Sequence, residues 1–322
     1  MNRCLLRALI AAAALAAPAV AQNFPAKPVR LVIPFAPGGA TDAIGRAVAQ
    51  KLSERWDQPV VVDNSPGAAT SIAAELVAKS AADGYTLLLA ANETLAINPG
   101  LFAKLSYDPV RDFALVRGLF AGKHILLVNP SVPANSLAEL VAHLKANPDK
   151  LSYGSSGNGS PAHLNMELFK SIANVSAVHV PYKGAAPAMT DLLGGRVQLM
   201  LINIAISMPH LKSGRLKTLA IASDARSPVM PDLPTFAERG FLGFESFAWF
   251  GLVAPAGTPR AIVERIGADA AAAVNSPDIR DQKLTEQGLE AFALTPEQFS
   301  GLVARETEKY ARLIRQTGAK AD

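Results

Sequence analysis

Short apolar, β-branched runs alternate along this chain with longer segments whose apolar residues recur at helical spacing. Val29 to Phe35 (VRLVIPF) reads as a buried strand, and Pro37-Gly38-Gly39 breaks it. Ala40 to Trp56 then places Ile44, Val48 and Leu52 on one helical face. Val60 to Val62 is a second strand, Ile72 to Lys79 a second helix, and Tyr85 to Ala90 a third strand after the Asp83-Gly84 turn. This βαβαβ order predicts an α/β fold with a parallel sheet covered by helices. The pattern resumes with strands at Leu151–Gly154, Val178–Val180, Val197–Ile202 and Lys217–Ile221. Helices Ala162–Ile172 and Ala185–Leu193 lie between them. Toward the end come helices near Pro259–Val274 and Pro296–Thr317, with a short strand at Leu289–Leu294.

Two apolar stretches, Ala114 to Asn129 and Glu245 to Ala254, suit long strands joining two α/β lobes, or core strands of a single sheet. The chain has 322 residues, and a single core stops growing at about 250–300 residues, so length favours two lobes. The expected organisation is residues 22–123 as the first part of lobe 1, 124–246 as lobe 2, and 247–322 as the rest of lobe 1.

Residues 1–21 read as a secretory signal peptide. Arg3 and Arg7 supply the charged start, Ala8 to Ala17 is an apolar run, and Ala19-Val20-Ala21 offers a small-x-small cleavage site. That run is half the roughly 20 residues a spanning helix needs. Cleavage after Ala21 removes Cys4, the only cysteine, and with it any disulfide, thiol nucleophile or thiolate metal ligand. Half of the residues are hydrophobic, which excludes disorder. Lys and Arg number 31 against 27 acids, with no basic run, so no nucleic acid partner is expected. A monomer without cofactor or metal is expected.

Two loops form a pair, each following a strand and opening a helix. The first is Pro34-Phe35-Ala36-Pro37-Gly38-Gly39-Ala40-Thr41-Asp42; the second is Tyr153-Gly154-Ser155-Ser156-Gly157-Asn158-Gly159-Ser160-Pro161. Glycine lets backbone amides approach a ligand closely, and the first amides of a helix are unpaired at the positive end of its dipole. Such a place suits a carboxylate, phosphate or sulfate. Each loop alone also reads as a plain turn, capped by Thr41 or Asp42 in the first and by Ser160 with Pro161 at N1 in the second. Two such loops, one per lobe, shift the balance toward a cleft that clamps an anion from both sides.

The chain resembles the Bug (TctC-type) extracytoplasmic solute receptors of tripartite tricarboxylate transporters. The resemblance is carried by PVRLVIPFAPGGATD (Pro28–Asp42), NSPGA (Asn64–Ala68), ADGYTLLLA (Ala82–Ala90), AINPGLF (Ala96–Phe102), LSYGSSGNGSPAHL (Leu151–Leu164), VPYKG (Val180–Gly184) and FGLVAPAGTP (Phe250–Pro259). It implies a two-lobed periplasmic-binding-protein fold, each lobe a mainly parallel sheet flanked by helices, joined by two crossing strands. It implies binding of a small carboxylate in the periplasm and delivery to a gradient-driven membrane permease, with no catalysis. Carried over, Phe35, Gly39, Ala40, Thr41 and Asp42 contribute from lobe 1, and Ser155, Ser156, Gly159 and Ser160 from lobe 2. His163 donates to the ligand or orients the loop. Asn203 forms a wall of the cleft or caps the following helix.

The sequence also departs from the family pattern. Many relatives read PGAGG where this chain has Pro66-Gly67-Ala68-Ala69-Thr70, and many place a His before AINP where this chain has Glu93-Thr94-Leu95. Glu93 and Thr94 are expected at the distal end of the pocket. There Glu93 either disfavours a second carboxylate or pairs with an ammonium; otherwise it points to solvent. Two rivals remain. A secreted hydrolase is poorly supported, because Gly154-Ser155-Ser156-Gly157 lacks the G-x-S-x-G spacing. A solute sensor docking on a membrane signalling protein would share the same cleft.

Overall fold

The computed structural model describes residues 24–211 and 214–320. The expected signal peptide, residues 1–21, lies outside the described residues.

Among the described residues ten strands lie in the order β2 (Val60–Asn64), β1 (Val29–Ile33), β3 (Thr86–Ala91), β9 (Phe247–Pro255), β4 (Phe113–Val128), β7 (Leu199–Asn203), β5 (Ser152–Ser155), β6 (Val178–Pro181), with β8 (Lys217–Ile221) and β10 (Glu290–Ala291) also pairing with β4. The first lobe starts with β1 (Val29–Ile33), α1 (Ala40–Trp56), β2 (Val60–Asn64), α2 (Ser71–Ala78) and β3 (Thr86–Ala91). β1 runs parallel to both β2 and β3, as the βαβαβ order requires. The second lobe holds α3 (Leu137–Ala146), β5 (Ser152–Ser155), α4 (Pro161–Ala173), β6 (Val178–Pro181), α5 (Ala185–Leu193), β7 (Leu199–Asn203), α6 (Ile204–Leu211) and β8 (Lys217–Ile221). Here β5 is parallel to β6 and β7.

The two apolar stretches are the connection. β4 (Phe113–Val128) and β9 (Phe247–Pro255) pair antiparallel from Phe113↔Pro255 to Lys123↔Phe247. From His124 onward β4 changes partners, to β7 (His124↔Asn203) and β8. The sheet is therefore parallel in its outer parts and antiparallel around the crossing strands. Gly122 permits this junction. A Cβ there would lie 2.4 Å from Asn203 Nδ2, which instead donates to the Gly122 carbonyl at 2.9 Å.

The chain returns to the first lobe for α7 (Arg260–Val274), β10 (Glu290–Ala291) and α8 (Pro296–Thr317). β10 is shorter than the expected Leu289–Leu294 strand. Phe292 N–H still bonds Leu119 O and Gly118 N–H bonds Leu294 O, but Leu294 N–H turns onto Phe292 O, so the regular ladder is interrupted. Thr295 and Gln298 form a capping box that starts α8.

Each sheet is covered on both faces. In lobe 1, Ile44, Val48, Leu52 and Trp56 of α1 meet Ile262, Ile266 and Val274 of α7. On the opposite face Ala73, Ala74 and Val77 of α2 share a core with Phe299, Tyr310 and Ile314 of α8. In lobe 2, α3 and α4 cover one face through Leu140, Leu144, Met166 and Phe169, and Met189 and Leu192 of α5 the other. This leaves the carboxyl ends of β1 and β5 facing each other across the crossing strands, where ligands sit in open α/β sheets. Among the described residues no helix is long and apolar enough to cross a membrane.

Candidate functional site

Two adjoining chambers, of about 400 and 280 Å³, occupy the space between the lobes. Phe35, Glu93, Ser156 and Pro161 line both. This size suits a small metabolite.

The smaller chamber receives two helix starts. Gly39, Ala40, Thr41 and Asp42, at the start of α1, come from lobe 1. Ser156 of the second loop, and Pro161 and Ala162 at the start of α4, come from lobe 2. Gly39 is the N-cap of α1 and no side chain caps that end, so neither Thr41 nor Asp42 plays the capping role. The first amides of α1 have no intrahelical acceptor. Asp42 points back into its own loop. Its carboxylate accepts from Gly38 N–H (2.9 Å), Arg46 Nε (3.0 Å) and Asn64 Nδ2 (2.9 Å). Burial raises its pKa, but those three partners outweigh it and hold the carboxyl below the ordinary value. α4 is capped by Ser160, whose Oγ accepts from His163 N–H, with Pro161 following at the first helical position.

Behind the second loop lies a histidine stack. Ser155 is fully buried and lines neither chamber. Its Oγ is 2.7 Å from His179 Nε2 and 3.1 Å from Gly157 O. His163 Nδ1 accepts from Gly159 N–H at 3.0 Å, and the His163 and His179 rings stack at 3.9 Å. His163 is thus placed to hold the loop and does not line the chambers. Burial lowers the pKa of both histidines, that of His179 to about 4; Lys170 pushes the same way and Glu167 opposes. A neutral stack keeps the Nδ1 acceptor available to Gly159.

Of the remaining expected residues, Thr94 is buried behind the wall. Its Oγ1 is 2.8 Å from Thr70 Oγ1. Asn203 lines the smaller chamber and also accepts from Ala205 N–H through Oδ1, so it serves the start of α6 as well. Glu93 lines both chambers and is only partly exposed, so it does not point into bulk solvent.

Ala69 and Thr70 stand where the family pattern has glycine, and Ala68, Ala69 and Thr70 are held at φ +43°, +46° and +77°. Left-handed backbone costs a non-glycine residue about 1 kcal/mol each. The strained wall is fixed by Asn98, whose Nδ2 donates to Ala69 O at 2.7 Å, and by Tyr107, whose hydroxyl donates to Thr94 O at 2.6 Å.

Several lining residues were not singled out from the sequence. His124 and Phe250 lie on the crossing strands, and Leu201, Ile206, Ala248 and Leu289 make the smaller chamber largely apolar. His124 Nδ1 meets Ser246 Oγ at 2.5 Å across the two connections, and burial pushes its pKa down to about 3. A lone His inside the apolar Ala114–Asn129 run was the available signal.

These depressed values give a pH prediction. The histidines stay neutral in the folded protein while the unfolded chain takes up protons below about pH 6.5. Stability is therefore expected to fall as pH drops from about 6.5 toward 4. Glu93 and Glu245, whose carboxyls burial raises, act in the opposite sense over part of this window. Denaturant titrations across that range check the fall, and His124→Asn should flatten the slope. A flat wild-type profile would contradict neutral buried histidines.

Among the described residues no Lys or Arg lines either chamber, and no three His, Cys, Asp or Glu side chains gather as a metal-ligand set. An anion in these chambers would meet backbone amides rather than a basic side chain of the described residues.

Similarity to known proteins agrees with this geometry. Protein BugT of Bordetella pertussis is 38% identical over 312 residues, covering 97% of this chain and 95% of that one. The structure of R. palustris Rpa4515 with adipate superposes with a TM-score of 0.82 at 37% identity, covering 92% of this chain and 99% of that one. MatC (Rpa3494) from Rhodopseudomonas palustris with bound malate gives 0.77 at 33% identity, covering 90% and 100%. Residues 44–319 match the Tripartite tricarboxylate transporter family receptor, and with the fold, the cleft and these relatives the chain belongs to that family of solute-binding receptors.

Proposed function

We propose that this protein is exported to the periplasm, its leader cleaved after Ala21, and captures a small carboxylate between its lobes. It then presents the closed form to a gradient-driven permease of the tripartite tricarboxylate type. In this reading the lobes divide near residues 123 and 246. The observation that carries it is the convergence of the α1 and α4 N-termini, one from each lobe, on a single chamber that no lysine or arginine of the described residues lines. A carboxylate there neutralises both positive helix ends, and only the closed arrangement supplies both. The relatives solved with adipate and malate support carboxylate as the ligand class. The Ser155–His179 pair supports binding over hydrolysis, because the hydroxyl is fully buried and holds its own loop.

The test is a thermal shift on protein unfolded and refolded to strip bound solute, against a panel of mono- and dicarboxylates, amino acids and phosphate. Ligand at 100 times its Kd should stabilise the protein by about 2.7 kcal/mol. Gly39→Val provides the control. A Cβ at Gly39 meets nothing nearer than Ala36 O at 4.0 Å, so the added methyls enter the cleft rather than the core. Affinity should fall about tenfold with the melting temperature unchanged. Absence of any shift with the whole panel, or full affinity in Gly39→Val, would overturn the carboxylate cleft.

A further inference from the structure

Glu93 is set apart from the other charged groups of the cleft. Asp42 is occupied by Arg46, Asn64 and Gly38. His124 is neutral and bonded to Ser246. Glu93 lines both chambers, and among the described residues no basic side chain comes within 4.0 Å of it. Burial is the leading cause of its raised pKa, offset only by its own backbone N–H.

A second observation points the same way. Asn98 is fully buried and lines the larger chamber with Glu93. Its Nδ2 is taken up by Ala69 O, Ser71 Oγ and Tyr107 OH, whereas its Oδ1 has no partner. The two residues bracket the π-helical turn Glu93–Ile97, in which Asn98 N–H donates to Glu93 O. That i→i+5 turn sets the Glu93 carboxylate on the chamber wall, with the unpartnered Asn98 amide oxygen buried in the same wall. π-turns of this kind are frequent at functional sites. Unpaired acceptors in a low-dielectric cavity favour a ligand that donates, and a cation most of all.

We propose that the ligand carries a protonated amine besides its carboxylate, and that Glu93 receives this amine while the starts of α1 and α4 hold the carboxylate. This rests on the carboxylate reading above and narrows its substrate class to ammonium carboxylates. A dicarboxylate in the same pose would bring its second carboxylate against Glu93, with no lysine or arginine of the described residues lining the chambers to offset it.

The experiment measures affinities of refolded wild-type and Glu93→Gln protein for alanine, β-alanine and γ-aminobutyrate, against succinate, glutarate and butyrate. Wild type should favour an ammonium carboxylate over its dicarboxylate counterpart by at least tenfold. Glu93→Gln should abolish that preference and gain affinity for succinate or glutarate. Its unliganded melting temperature should rise, since an uncompensated carboxylate is removed. Wild-type affinity for the amine should increase as pH rises through the Glu93 titration, because the ionised form binds. If Glu93 instead donated as a protonated acid to a second carboxylate, dicarboxylate affinity would fall over the same range. Dicarboxylate preference in wild type, or an unchanged preference in Glu93→Gln, would overturn the inference and leave the carboxylate cleft standing. Failure of wild type to bind any carboxylate would overturn both.

Discussion

Replacing Gly159 by alanine should weaken ligand binding about 10- to 100-fold while leaving both lobes folded. Gly159 sits in the second loop at φ +72°. A Cβ there would lie 2.2 Å from Leu101 Cδ1 and 2.7 Å from Cδ2, and Leu101 belongs to the opposite lobe. Two effects separate by where they act. The left-handed strain, about 1 kcal/mol, exists whether the cleft is open or closed and lowers the melting temperature. The clash acts on the arrangement in which the two lobes meet at this contact, and we expect it to be relieved when they part. Leu101 is buried beside the α8 core and cannot swing away freely, so overpacking costs the closed state about 1–3 kcal/mol. Since a ligand shifts closure only by its differential affinity, that penalty subtracts directly from binding. Leu101→Ala in the Gly159→Ala background should restore most of the affinity and none of the melting temperature. Unchanged affinity in Gly159→Ala would mean that this contact plays no part in closure.

The same pair illustrates what a sequence can and cannot yield. The glycine-rich loop was legible because strand, glycines, Ser160 and Pro161 follow in a recognisable order. Leu101 was not, because a leucine after Asn98-Pro99-Gly100 carries no mark of the surface it meets. Helices α1, α5 and α8 were readable to the residue from their apolar period and turn residues. α3 escaped notice although Ser136 and Glu139 form its start signal, the serine accepting from Glu139 N–H. The π-turn at Glu93–Ile97 has no signature, since five residues cannot distinguish an i→i+5 ladder from an α-helical one. The crossing strands were visible as apolar length. That they carry His124 and Phe250 to the cleft follows from the partner change at His124, and strand pairing is a long-range property. Thr94, Ser155 and His163 fall in the right segments yet lie one layer behind the chambers. Residue type alone does not say which side of a loop faces the cavity.

Asp42 offers the sharpest separation between touching a ligand and holding what touches it. Asp42→Ala should cost about 2–3 kcal/mol of stability and about tenfold in affinity. Hydrogen bonds to a charged acceptor are worth about 1.5–3 kcal/mol. The Arg46 share is small, because that side chain is half-exposed and rehydrates. Asn64 Nδ2 keeps Phe35 O as an acceptor at 3.0 Å, so the main loss is the tie between Gly38 N–H and the start of α1. Without that tie the first loop must be ordered by the ligand itself, and ordering entropy of about 1–2 kcal/mol per residue opposes binding. Asp42→Asn keeps one acceptor but turns an amide toward Arg46, so it should fall between wild type and alanine. The sign is what discriminates. If the Asp42 carboxylate faced a carboxylate ligand, removing its charge would tighten binding in both variants. If it braces the loop, both variants weaken binding and both lower the stability measured by denaturant titration. Tighter binding by Asp42→Asn would therefore place the anion beside Asp42 and overturn the assignment of the carboxylate to the backbone amides of α1 and α4.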